Sequence, residues 1–275
     1  MIDVYKIGLS MYKHGDKNSG LFEYNIIKKE LSRISTDKKV LVIINGKCAS
    51  NELEKLYELL KLYDIKIFIA SDIVAITENA PIIARCDCLL HQCPSEKIEM
   101  FNAMEQHYSW VPELFYKYCK YKTTSKYNKM IFGGGLRDNE DKILEYLAVV
   151  PSTAYIKTTE HDSRLEYADY LLELSKHKFA LIISRKAYSD IGWVTARYAE
   201  AVANGVIPLC DKDYDKDCHF VKVTVTSAKD LHTTFNMLLR ERRFRNTLLS
   251  IMRKELHNTK NNFKQLIVNL IGDTK

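Results

Sequence analysis

Short apolar runs recur along the chain, and between them the apolar residues fall at helical spacing. KVLVII (39–44), IKIFIA (65–70) and FALIIS (179–184) are apolar at nearly every position and too short for buried helices. They read as strands covered on both faces. VYKIGL (4–9) reads as a strand and GLFEYNIIKKEL (20–31) as a helix. NELEKLYELLKLY (51–63) is strongly amphipathic, with Asn51 placed as an N-cap. PIIARCDCLLHQC (81–93) reads as one or two strands. A polar, aromatic-rich passage follows, up to KYCKYKTTSKYNK (117–129), whose cluster of Lys, Thr, Ser and Asn lacks a strong period, and residues 119–127 are the candidate linker.

A second block repeats the rhythm. KMIF (129–132), TAYIK (153–157) and FALIIS (179–184) predict strands, separated by helices over 138–150 and 163–177. WVTARYAEAVANG (193–205) predicts a helix closed by its glycine. VIPLC (206–210) and FVKVTV (220–225) predict two more strands, and 227–271 a mostly helical tail, capped by Ser227 and broken near 244–247. Strand–helix–strand alternation predicts parallel α/β architecture in two blocks with a cleft between them. Ligands of such sheets bind beyond the C-terminal strand ends, which directs attention to the residues after IFIA, KMIF, AYIK and FALIIS.

Composition changes this picture little. With 275 residues the chain suits two modest domains, and 46% hydrophobic with 28% charged residues is ordinary for a globular protein. The formal net charge of +6 suits a nucleic-acid partner and an unspecialised protein equally well. No apolar run reaches membrane-spanning length, and MIDVYKIGLSMYKHGD is not patterned as a signal peptide. The seven cysteines are therefore expected as free thiols in a reducing compartment. Cys86, Cys88, His91 and Cys93 cluster without paired-knuckle spacing, which favours small buried core residues over a zinc site.

Three stretches carry candidate chemistry. MIFGGGLRDNEDKILEYL (130–147) runs from a strand through Gly133, Gly134 and Gly135 into a helix. Glycines permit positive φ and close backbone approach, and Arg137 offers a fork of donors, so the stretch is either an anion cradle or a tight turn. It is neither a Walker A loop nor the G-x-G-x-x-G fingerprint, which argues against a dinucleotide dehydrogenase. In TARYAEAV (195–202), Arg197 and Glu200 share a helical face. They could bind diphosphate and ribose, or form an i,i+3 salt bridge on a solvated surface. In SDIVAI (71–76), Asp72 stands just past a strand end, placed as a general base or as a cap. The basic runs RERRFR (240–245) and KYCKYK (117–122) either meet nucleic-acid phosphates or form a solvated helix face and a linker.

Taken together, these stretches resemble the DNA β-glucosyltransferase family of T-even-like bacteriophages. The similarity runs through MIFGGGLRDNEDKILEYL, through ALIISRKAYSDIGWVTARYAEAVANGVIPLCDKDYD (180–215) and through YDIKIFIASDI (63–73). Weaker echoes are LLHQC (89–93), SWVPELFYK (109–117) and the tail from NTLLSIMRKEL. The resemblance implies a GT-B fold. A domain at 1–122 would carry the base, a Rossmann-like domain at 127–245 would bind the UDP-sugar, and a C-terminal helix at 246–275 would return to the first domain.

It implies Asp72 as the base, Arg137 and Arg197 as phosphate ligands beside the Gly133–Gly135 turn, and Glu200 as the ribose-binding carboxylate. Tyr155 and Ile156 match a strand end near the nucleotide, and Glu23 matches an acid that contacts the sugar. The implied reaction is inverting transfer of glucose or arabinose from a UDP-sugar to 5-hydroxymethylcytosine in double-stranded DNA, with the base flipped out. A divalent ion, Mg2+ or Mn2+, would only assist, with no dedicated metal ligands. The protein would be a monomer in the cytoplasm of the infected host. The alternatives are a glycosyltransferase with a non-DNA acceptor and a non-catalytic nucleotide- or DNA-binding module. The third glycine stands where the family has a serine, which shifts the expected phosphate grip toward backbone N–H groups.

Overall fold

A computed structural model describes residues 1–8, 19–46, 50–71, 73–91, 105–108, 111–121, 126–134, 139–150, 153–157, 165–190, 192–214, 223–257 and 263–272. The chain divides into two compact units, Met1–Leu114 with Lys260–Lys275, and Phe115–Thr259.

The first unit contains β1 (Ile2–Lys6), α1 (Ser19–Leu31), β2 (Val40–Ile44), α2 (Ser50–Leu60), β3 (Ile65–Ile69), α3 (Ile73–Glu78), α4 (Ala80–Ile83), β4 (Cys88–His91) and β5 (Glu105–Tyr108). α5 (Val111–Tyr118) carries the chain across the division. The strands form a parallel sheet in the order β1-β2-β3-β4-β5. Every residue of β2 is buried, as its unbroken apolar run requires of a strand covered on both faces.

The second unit contains β6 (Tyr127–Gly134), α6 (Glu140–Val149), β7 (Ala154–Lys157), α7 (Tyr167–Ser175), β8 (His177–Ile182), α8 (Lys186–Ser189), α9 (Arg197–Ala203), β9 (Ile207–Asp211), β10 (Val223–Val225), α10 (Ala228–Arg240) and α11 (Arg242–His257). Its parallel strands are ordered β7-β6-β8-β9-β10. The chain leaves β6 in one direction for β7, then returns past it to β8. The reversal between β6 and β8 opens a crevice at their C-terminal ends.

Several elements depart from the sequence reading. Helix α2 begins at Ser50, so Asn51 is its second residue and not an N-cap. Pro81–Ile83 belong to the short helix α4, and only Cys88–His91 of that stretch form a strand. β5 and α5 lie in the polar, aromatic passage, for which the sequence predicted no element. In the expected linker, Cys119 is fully buried, its carbonyl accepts from Asn204 Nδ2 at 2.6 Å, and Tyr121 N donates to Asn204 Oδ1 at 2.8 Å. That segment is docked on the second unit. α9 is shorter than its apolar pattern, because Gly192 takes φ 70° and Trp193 is buried in the preceding turn.

Ser227 does cap α10, accepting from Asp230 N. The tail then breaks at Glu241, where Arg245 folds back to donate to Leu238 O at 2.9 Å and Leu239 O at 3.1 Å, satisfying the last carbonyls of α10. α11 belongs to the second unit and α12 (Phe263–Gly272) to the first, where Lys38 Nζ donates to Ile271 O at 2.8 Å. The tail expected as one helix over 246–275 is thus two helices serving different units.

Candidate functional site

The crevice between β6 and β8 gathers residues from four elements. β6 ends in Gly133 and Gly134, α7 supplies Tyr167 and Tyr170, and α9 supplies Arg197 and Glu200. Ser184 follows β8. Arg197 Nη1 donates to Tyr170 OH at 3.0 Å. Tyr167 OH donates to Glu200 Oε1 at 2.5 Å. The i,i+3 salt bridge on a solvated face is not what forms. Glu200 is 4% exposed, and among the described residues neither side chain has a salt-bridge partner. Each is held by a tyrosine of α7.

Gly133 and Gly134 are strand residues and not among the positive-φ glycines, which are Gly8, Gly192 and Gly205. Of the two uses of glycine that the sequence allowed, these two residues serve close approach and not positive φ. A Cβ on Gly133 would lie 2.7 Å from Tyr170 Cε2 and 3.1 Å from Arg197 Nη1. A side chain there would displace the Tyr170–Arg197 pair from the strand end. Beside it, Phe132 stacks on Tyr155 with ring centroids 5.6 Å apart. Tyr155 is partly exposed, and Ile156 pairs in register with Gly133 across β6 and β7. Gly135 and Arg137 lie outside the described residues.

Burial dominates the electrostatics. It raises the Glu200 carboxyl above its usual range, against the Arg197 charge and the nearby Tyr167 and Tyr170 hydroxyls. Burial also pushes Tyr170 up to about 12, opposed by Arg197, and holds Tyr167 well above an ordinary tyrosine, reinforced by Glu200. Both hydroxyls therefore stay protonated at neutral pH. Glu200 Oε2 and Ser184 Oγ are buried with no hydrogen-bond partner among the described residues. A buried acceptor left open costs on the order of 1–3 kcal/mol, so both atoms suit a ligand donor. A carboxylate oxygen beside a guanidinium can accept from a sugar hydroxyl while the guanidinium binds phosphate. Asp211, at the end of β9, is engaged by Lys142 Nζ at 2.7 Å and Tyr146 OH at 3.0 Å.

The first unit has its own polar cluster at the C-terminal strand ends. Lys6 ends β1, Asn45 follows β2, and Ser71 follows β3. Lys6 Nζ donates to Asn45 O at 2.7 Å and pairs with Glu23 Oε2 at 3.5 Å. Ser71 Oγ lies 3.0 Å from Glu23 Oε2 and 2.6 Å from Asn45 Oδ1. Lys6, Glu23 and Asn45 are all buried. Glu23 was expected from sequence, whereas Lys6, Asn45 and Ser71 were not. Asp72, the next residue, lies outside the described residues.

Cys86 and Cys88 are core residues around β4, and burial pushes the Cys86 thiol up to about 12. Cys93 lies outside the described residues. Among the described residues, no group of three His, Cys, Asp or Glu side chains is placed to hold a metal, and no helix is long and apolar enough to cross a membrane.

No protein-family model matches the chain, and no curated protein matches it by sequence. Solved structures do. One is the DNA modifying enzyme β-glucosyltransferase, crystallised with and without its substrate uridine diphosphoglucose. It has a TM-score of 0.63 at 17% identity, over 98% of this chain and 99% of that one. An α1,3-fucosyltransferase has a TM-score of 0.58 at 10% identity, over 99% of this chain and 90% of that one. A trehalose-6-phosphate structure from E. coli with bound UDP-2-fluoro glucose has a TM-score of 0.53 at 9% identity, over 94% of this chain and 78% of that one. With its two parallel-sheet units, the chain has the GT-B fold of glycosyltransferases.

Proposed function

We propose that this protein is an inverting glycosyltransferase that moves glucose or arabinose from a UDP-sugar to the hydroxymethyl group of 5-hydroxymethylcytosine in double-stranded DNA. The observation that carries the donor half is Glu200, buried at a sheet reversal with one oxygen open beside Arg197. The open carboxylate oxygen accepts hydrogen bonds from the ribose diol. Arg197, with Arg137 and the N–H groups of the glycine turn, stabilises the charge that grows on the departing diphosphate. Tyr155 and Ile156 flank the uracil. The GT-B fold and the nucleotide-sugar ligands named for the similar structures support this half.

The acceptor half rests on the DNA-modifying structure among the similar ones and on the place of Asp72 in the sequence, just past the end of β3. The hydroxymethyl oxygen attacks the anomeric carbon, its proton passes to Asp72, and the bond from that carbon to the UDP oxygen breaks. A single direct displacement inverts the centre, so a UDP-α-sugar yields a β-linked product. The buried Lys6, Glu23 and Asn45, with half-buried Ser71, hold the strand ends that precede Asp72 in sequence, and Glu23 reaches the sugar. The target base is flipped out to be reached. The protein acts as a monomer in the cytoplasm of the infected host, and any Mg2+ or Mn2+ assists without dedicated ligands.

The test offers UDP-glucose and UDP-arabinose with hydroxymethylated and unmodified DNA and reads nucleoside masses. A hexose or pentose increment on hydroxymethylated DNA alone is expected. UDP-sugar hydrolysis or UDP binding with no DNA increment would move the acceptor elsewhere, and absence of UDP binding would overturn the donor half as well.

A further inference from the structure

Where the strands of the second sheet begin, at the edge opposite the candidate donor site, lies a cavity of 420 Å³ bounded by Lys126, Lys178, Arg242, Arg245 and Asn246 over Ile207. Lys126 precedes β6, Lys178 is the second residue of β8, and Ile207 opens β9. β6 separates this edge from Gly133 by roughly 20 Å at about 3.3 Å per residue. The cavity is therefore distinct from the Arg197–Glu200 crevice.

Its charge is one-sided. Among the described residues, no carboxylate pairs with Lys126, Lys178, Arg242 or Arg245. A fifth cation joins them, since Gly205 takes φ +68° and a Cβ there would lie 2.8 Å from Arg253 Nη2. Folding crowds these charges together. Burial lowers Lys126 to about 8, with the Arg253 charge adding to it. Burial also lowers Lys178, with help from Arg245 and Arg242, and lowers Arg245, with help from Arg242. RERRFR is thus not a simple solvated face, because Arg245 is turned inward and only 9% exposed.

The hydrogen-bond inventory divides the work. Lys126 Nζ spends its donors on Ser175 O at 2.8 Å, His177 O at 3.3 Å and Asn204 O at 2.7 Å. It contributes charge only. Lys178 donates once, to Asn128, and Arg245 uses Nη1 on the end of α10. Lys178, Arg242 and the remaining N–H groups of Arg245 are left to bind a ligand. Guanidinium forks beside ammonium groups, with no counter-charge, match the tetrahedral oxygens of a multiply charged anion.

We propose that this pocket binds a phosphate group, at the sheet edge opposite the donor site. The group comes either from a free phosphate compound or from a nucleic-acid backbone. The test compares the wild-type protein with a Lys178→Gln/Arg242→Gln double variant, using inorganic pyrophosphate and a short unmodified DNA duplex as probes. Excess UDP is present to occupy the crevice around Arg197. Both proteins share that crevice, so the comparison reads the pocket whether or not UDP binds.

Calorimetry should show pyrophosphate binding weakened by about tenfold or more in the variant. If the duplex also weakens, and the slope of log K against log salt falls by about 2, the phosphate is that of DNA. If the loss is confined to pyrophosphate, the source is a free phosphate compound. Equal affinity of the two proteins for both probes overturns the proposal.

Discussion

The polar clusters at the C-terminal strand ends of the two sheets are built on different principles. In the first sheet the strands follow one another in sequence order, and the buried Lys6 and Glu23 pair with each other while Asn45 O accepts from Lys6 and Ser71 Oγ lies within hydrogen-bond reach of Glu23 and Asn45. In the second sheet the order reverses at β6, and among the described residues a buried carboxylate keeps one oxygen open beside an arginine with no carboxylate partner. The first cluster carries its own counter-charge at the strand ends. Among the described residues, the second keeps an acceptor that the proposed ligand would fill. Buried polar groups left half-paired are costly, and the proposed ribose contact would recover that cost.

The sharpest way to break that contrast is to separate chemistry from donor binding. Asp72→Ala should lower turnover by about 10²–10⁴-fold, the usual contribution of a general base, while leaving UDP affinity unchanged. Near-normal turnover would remove Asp72 from the reaction. Arg197→Ala should do the opposite, weakening UDP binding by about 1.5–3 kcal/mol through loss of a charge-assisted contact. UDP titration of both variants checks the pair, and a swapped pattern would reverse the roles given to the two units.

Gly133→Ala sharpens the second cluster. The new methyl would lie 2.7 Å from the Tyr170 ring and 3.1 Å from Arg197 Nη1, and must push both aside. Overpacking of this kind costs about 1–3 kcal/mol, and here it should appear as weaker UDP binding with little loss of secondary structure. If affinity is unchanged, Arg197 reaches its ligand without the geometry that Tyr170 fixes.

Much of this was legible in the sequence, and the reasons for what was not are physical. KVLVII and FALIIS announce two-sided burial in their composition, and the parallel sheets follow from them. Arg197 and Glu200 stand out because three-residue spacing is a local signal. Their partners do not. Tyr167 and Tyr170 look like part of an ordinary helix face, and their meetings with Glu200 and Arg197 span 33 and 27 residues. Lys6, Asn45 and Ser71 come from three strand ends that only the sheet brings together. The glycine turn shows the limit most clearly. Sequence weighed Gly133 as a phosphate cradle or a turn, while the space it must leave for Tyr170 is a tertiary fact.

The smallest expected effect separates ligand demand from structural demand at Glu200. Burial holds its folded pKa above the unfolded value near 4.5, despite Arg197 and Tyr167. A carboxyl raised in this way contributes stability that is fully present below the unfolded pKa and is lost as pH rises through the folded one. Ionised Glu200 is therefore a cost at neutral pH. Glu200→Gln keeps an acceptor for Tyr167 and removes that cost. The variant should melt above the wild type at pH 7.5, by on the order of 2–4 °C per kcal/mol, and the gain should vanish below pH 4.5. The same variant should bind UDP more weakly, since an amide is a poorer acceptor for a ribose diol than a carboxylate. A carboxylate that costs stability yet strengthens binding is kept for the ligand. Should the variant melt below the wild type at pH 7.5, Glu200 would instead be a structural counter-ion for Arg197, and the two clusters would be alike.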